Sequence, residues 1–146
     1  MAQPGTIERF LNPKCTRTQC SHNIHDTTGT RVQAGGMGVL SHDKVSHFAM
    51  GSGCDKAKLA GWTWSRFQGK GGLVLRVVSA YRPCASSGGK RTAWSQHKAY
   101  FNNHNDDRDP RDAFMEDLAA EIQEWIQEGD QVIVGGDLNE EIRGPV

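Results

Sequence analysis

Two strand-like apolar runs with helical patterns between them limit this chain more than anything else in its sequence. The first, Leu73-Val74-Leu75-Arg76-Val77-Val78-Ser79-Ala80, is long and β-branched enough to be a central strand, and it runs into Tyr81-Arg82-Pro83. The second, Val132-Ile133-Val134, stops abruptly at Gly135-Gly136 and is followed by Asp137-Leu138-Asn139-Glu140. Between them lies a clear helix signature. Asp109 can cap the free amides, with Pro110 at the first helical position and Asp112 at the third. Phe114, Leu118, Ile122, Trp125 and Ile126 then form an apolar stripe, and Gly129 ends the helix. At about 1.5–3 kcal/mol per fully buried large side chain, that stripe reads as core, Trp125 included. Glu116, Asp117, Glu121, Glu124 and Glu128 read as the solvent face, an acidic surface that should not meet nucleic acid. Strand, helix, strand in this order predicts an α+β or layered α/β arrangement.

The end of the second run carries the chemistry. Strand alternation places Asp137 and Asn139 on one side with Leu138 on the other, and the glycines let the backbone turn and a ligand approach. A carboxylate beside a carboxamide suits an anionic, metal-dependent reaction. The same residues also suit an Asx turn after a buried strand, and both readings stand at this level.

Elsewhere, residues 1–32 are polar with little apolar periodicity and read as a loop or a poorly ordered terminus. Apolar runs at 36–40 and 47–50 predict a hairpin turning at Ser41 to Lys44. Trp62 to Phe67 alternates aromatic and polar residues, a half-buried strand with Trp62, Trp64 and Arg66 on one face. Cys84 to Arg91 reads as a flexible loop with a basic end. From Thr92 to about His104, Trp94, His97 or Lys98, and Phe101 fall at helical spacing. His97 admits two readings, a general acid or base or a plain helix-face residue, and the second fits its place in the chain better.

With 17 basic and 17 acidic residues the formal net charge is zero, so any nucleic-acid binding has to be local. The four cysteines, Cys15, Cys20, Cys54 and Cys84, are too few and scattered for a disulfide scaffold, which predicts a reducing, intracellular compartment, nuclear or cytoplasmic, and no membrane. Cys15, Cys20, His22 and His25 are zinc-ligand types, but their crowding departs from finger spacing.

Tyr81-Arg82-Pro83 read together with Gly135-Gly136-Asp137-Leu138-Asn139 resembles the endonuclease/exonuclease/phosphatase superfamily, the DNase I-like phosphodiesterases. The order of Gln33-Ala34-Gly35-Gly36-Met37-Gly38-Val39-Leu40, Gly61-Trp62-Thr63-Trp64, Val78 to Cys84, Gln96-His97 with Tyr100-Phe101, Pro110 to Phe114 and the Asp137 segment is similar to the endonuclease domains of non-LTR retroelements. The resemblance implies a four-layer sandwich, two sheets face to face with helices outside, of which residues 33–146 would be an incomplete domain. It implies Tyr81, Asp137 and Asn139 as catalytic residues: the tyrosine approaching the scissile phosphate, the acid orienting or deprotonating water, the amide holding a phosphate oxygen. Arg82, Lys90 and Arg91 are then candidate substrate contacts, although Lys90 and Arg91 read equally as a solubilising loop. It further implies Mg2+ or Mn2+, DNA as substrate, and fusion to a reverse transcriptase. The metal ligands stay unassigned. Before Glu116 the chain has one glutamate, Glu8, in a context unlike the family's metal strand, and the family's C-terminal histidine triplet would lie past Val146. Little turnover is therefore expected of these residues alone. A degenerate, inactive remnant and a non-catalytic nucleic-acid or protein-binding module are the competing readings.

Overall fold

The computed structural model describes residues 16–25, 35–85, 89 and 91–140. Among the described residues there are six strands, β1 (Thr16–Ser21), β2 (Met37–His42), β3 (Ala49–Cys54), β4 (Trp62–Gln68), β5 (Val74–Tyr81) and β6 (Asp130–Asp137), and two α-helices, α1 (Ala93–Asn103) and α2 (Pro110–Gln127). The fold is α+β: β1 and β2 form a two-stranded antiparallel sheet, and β3-β4-β5-β6 form a four-stranded sheet. In the larger sheet β3, β4 and β5 are antiparallel in succession, while β5 and β6 run parallel, joined by the crossover through α1 and α2.

β5 lies inside the larger sheet, as its long and mostly apolar run predicts. Its register sets the two faces. Trp62, Trp64, Val78 and Ala80 point to one side and meet Phe114, Leu118 and Trp125 of α2, with Ile122 and Val132 against the same cluster. The Trp62 and Phe114 rings meet edge-on at 5.5 Å. Ser65, Phe67, Leu75 and Val77 point to the other side, where the β1–β2 sheet lies across β4 and β5. β4 is thus covered on both faces rather than half-buried: Thr63, Ser65 and Phe67 on the side expected to be wet are all buried.

Three local expectations fail for identifiable reasons. The 36–40 and 47–50 runs form no hairpin. A 3-10 segment, Asp43–Phe48, follows His42, with Asp43 at φ 54° and the Ser46 hydroxyl donating to the Asp43 carbonyl at 2.7 Å. That detour carries the chain from the small sheet to the large one. β2 instead pairs with β1, which lies inside the polar stretch read as a loop. Thr16 to Ser21 carries little apolar signal because it pairs within a sheet whose residues are largely half-exposed. Finally, Glu121 is buried within α2's acidic face: its carboxylate accepts from the Trp62 indole Nε1 at 3.2 Å and the Lys56 amide at 3.3 Å.

Both helices start as predicted. Asp109 accepts from the Arg111 amide at 2.8 Å to cap α2, and Thr92 accepts from the Ser95 amide at 3.2 Å to cap α1. His97 is the helix-face residue: buried on α1, with its Nε2 3.0 Å from the Leu59 carbonyl. Burial pushes its imidazole below the ordinary value, the Leu59 carbonyl and Asp55 pulling weakly the other way, so it is neutral near pH 7. None of the described helices is long and apolar enough to cross a membrane.

Candidate functional site

β5 and β6 are parallel, so their C-terminal ends open on the same edge of the sheet, and the register places Tyr81 directly beside Asp137. Fifty-five residues of sequence lie between the two positions; one pair of strands joins them. The Arg82 amide donates to the Asp137 carbonyl at 2.9 Å and continues the ladder beyond the last pair. Gly136 has φ 153°, and a Cβ there would overlap the Ala80 carbonyl oxygen, so the close approach of the two strands at this point requires glycine. Asp137 is exposed.

Asn139 follows at φ 49°. Its amide N–H donates to the Asp137 Oδ1 at 2.9 Å, so the Asx turn of the plainer reading is formed. Its side chain is held at both ends: Nδ2 donates to the Arg82 carbonyl at 2.5 Å, and Oδ1 accepts from the Cys84 thiol at 3.1 Å. One Nδ2 hydrogen is left for another acceptor. Asn139 therefore ties the segment after β5 to the segment after β6. Cys84 Sγ also lies 3.8 Å from the Tyr81 hydroxyl. Burial, then the Cys84 contact and the nearby Asp137 charge, push the Tyr81 phenol above its ordinary value against the opposing Asn139 contact. It is thus a neutral donor at physiological pH.

Arg82 does not reach outward. Its guanidinium is buried, donating through Nε to the Arg111 carbonyl at 3.2 Å and through an Nη to the Glu140 carboxylate. Burial, followed by the repulsion of Arg111, lowers its pKa from the ordinary arginine value, with Asp112 and Asp109 opposing. Arg111 completes the clamp, donating to the Pro83 carbonyl at 2.9 Å, the Asn139 carbonyl at 3.1 Å and the Glu140 carboxylate at 2.9 Å. Of the two loop cations, Arg91 is exposed just before α1, and Lys90 lies outside the described residues.

Cys84, Arg111 and Glu140 were not singled out from sequence. Arg111 had a signal to give: it is a cation in the first turn of α2, where the helix dipole favours anions, so it needs a partner of its own. Glu140 is that partner. Cys84 offered none, since a thiol in a small-residue loop has no pattern to follow.

Among the described residues Asp137 and Glu140 are the carboxylates at this mouth, and Glu140 is already neutralised by two guanidinium groups. Mg2+ is held through one or two carboxylates plus water and substrate phosphate. Asp137 is one such carboxylate, and among the described residues no group of three or more His, Cys, Asp or Glu side chains could hold an ion by itself. Comparisons with protein-family models, with curated proteins and with solved structures found no match to this chain.

Proposed function

We propose that the β5–β6 mouth is the phosphate-handling part of a metal-dependent phosphodiesterase of the DNase I-like kind, acting on DNA as retroelement endonucleases do. One observation carries this reading: two motifs far apart in sequence, Tyr81-Arg82-Pro83 and Asp137-Leu138-Asn139, meet side by side at the ends of adjacent parallel strands. A phenol donor, an exposed carboxylate and an amide N–H at one strand end are what attack of water on a phosphodiester needs. Asp137 orients or deprotonates the water, Tyr81 donates to a non-bridging phosphate oxygen, and the spare Nδ2 hydrogen of Asn139 donates to another. Arg82 acts on this arrangement from behind, by holding the loops, and Arg91 and Lys90 approach the DNA backbone. Mg2+ or Mn2+ would neutralise charge on the phosphate, and Asp137 is the described carboxylate that could hold it together with water and the phosphate itself. In this reading the two sheets belong to a four-layer sandwich, the protein works inside the cell, in nucleus or cytoplasm, and a reverse transcriptase is its natural fusion partner.

A second reading, an inactive remnant, rests on the side chain of Asn139. Both its ends are occupied by Arg82 and Cys84, so its role as it stands is structural. Two measurements separate the readings. Addition of Mn2+ with a short DNA duplex should broaden the amide resonances of Tyr81, Asp137 and Asn139 selectively in the wild-type chain and leave them sharp in Asp137→Ala. In any form of the protein that nicks supercoiled DNA in Mg2+, Asp137→Asn should lower the rate about 100- to 10,000-fold. No broadening at the mouth together with no nicking supports the remnant, and a loss below tenfold removes the general-base role.

A further inference from the structure

β6 is the last strand of the larger sheet, and among the described residues nothing pairs with its outer edge. The backbone bonds around it fix which groups that edge presents. Tyr81 donates toward β4, to the Gly61 carbonyl, and Arg82 donates toward β6, to the Asp137 carbonyl. Alternation then turns Gln131, Ile133, Gly135 and Asp137 inward to β5, and directs the N–H and C=O groups of Val132, Val134 and Gly136 outward. Natural edges of this kind carry lysine, proline or inward-pointing charges that discourage pairing. Between Asp130 and Asp137 there is no charged residue and no proline.

The surface flanking this edge is apolar as well. Val134 is 40% exposed on the α2 side of the sheet. On α2, Glu121 and Glu124 meet Trp62 and Lys56 on the flank toward β4. The opposite flank, toward β6, carries Met115, Ala119, Ile122 and Ile126 at helical spacing, with Met115 and Ile126 both exposed.

We propose that two copies of this chain associate through their β6 edges, antiparallel about a two-fold axis centred on Val134, to form one continuous eight-stranded sheet. The edge is complementary to itself in this register. Val134 faces the partner's Val134, and Val132 faces the partner's Gly136, so each outward N–H and C=O finds a partner. Asp137 falls opposite the partner's Gln131 and Asp130 opposite the partner's Leu138, so no like charges face each other along the ladder. Asp130 is already neutralised within its own copy by Arg66 and Arg76. The α2 flanks with Met115 and Ile126 cover the junction on one side, and Ile133 flanks it on the other. A two-fold contact of this type closes on itself. The association is independent of any catalytic role for the mouth.

Sedimentation equilibrium of the full 146-residue chain at tens of micromolar should give twice the monomer mass, and Val134→Lys should return it to the monomer mass with unchanged far-UV circular dichroism. A cross-link fixes the register whether or not that variant folds. A hydrogen-bonded antiparallel pair has Cα atoms about 5.5 Å apart, inside disulfide range, so Val134→Cys should form a 134–134 disulfide on mild oxidation, located by peptide mass spectrometry. Val132→Cys should not, because its two copies would lie about 13 Å apart along the strands. A monomer throughout, a dimer that survives Val134→Lys, open-ended oligomers, or equal cross-linking at 132 and 134 would each overturn the proposal.

Discussion

The parallel pair β5–β6 has an arginine-clasped carboxylate at each end, and the two clasps serve different purposes. At the N-terminal end, Asp130 accepts from Arg66 at 2.6 and 3.1 Å and from Arg76 at 2.7 and 2.8 Å. The Asp130 side chain is fully buried, and the Arg76 guanidinium lies 4.2 Å from the Trp64 ring centroid and 4.5 Å from that of Trp125. At the C-terminal end, Glu140 is clasped by Arg82 and Arg111, yet its side chain is 57% exposed. The chemistry is the same and the dielectric is not. In the interior a missing partner leaves a charge that water cannot reach, whereas at the mouth solvent takes its place. One end is therefore built for stability and the other for holding two loops in position at modest cost.

The largest effect expected follows from the buried end. Asp130→Asn leaves the buried Arg76, between two indoles, with only the exposed Glu128 carboxylate at 3.3 Å as a charged partner, and should cost about 3–5 kcal/mol, measured as a lowered urea midpoint at unchanged slope. A loss under 1 kcal/mol would mean that the two clasps are equivalent. The pH profile carries the same contrast. Burial alone would raise the Asp130 pKa, but the hydrogen bonds from Arg66 and Arg76 outweigh it and hold the carboxyl below its ordinary 3.8. A carboxylate depressed in the folded state contributes stability above its unfolded pKa and loses it as pH falls through the folded one. Wild type should thus lose stability steeply below about pH 4. Asp130→Asn should show a shallower loss, which urea titrations at stepped pH would reveal. Glu140→Gln is the smallest perturbation: stability should fall by about 1 kcal/mol or less, because the pair is largely exposed. Its signature should instead be local, faster hydrogen exchange at the Asn139 and Arg82 amides. A change as large as that of Asp130→Asn would erase the distinction between the two ends.

Much of the scaffold is legible residue by residue. The β5 run, the Asp109–Pro110 start of α2, the Gly129 stop and the Phe114–Leu118–Trp125 stripe are local patterns that the packing reinforces, so periodicity identifies them. The pairing of Tyr81 with Asp137 is not legible, since nothing in either segment specifies a parallel register between them. β1 is not legible, because a strand half-exposed in a small sheet has no need of apolar alternation. Glu121 shows the converse: a glutamate on an acidic helix face reads as solvent-facing, and only the indole of Trp62 and the amide of Lys56 make its burial tolerable. Its carboxyl is raised above the ordinary range by that burial, the two hydrogen bonds opposing.

From sequence alone, then, this protein has its helices, its central strand and the chemical types at the end of β6, because these depend on periods and caps within a few residues. Tertiary structure alone decided that Arg82 turns inward, that Asn139 binds the Arg82 carbonyl and the Cys84 thiol, and that β6 ends the sheet among the described residues. Each of these depends on which distant groups share a low-dielectric space or a strand boundary, and side-chain direction is settled by the neighbour that can satisfy it there.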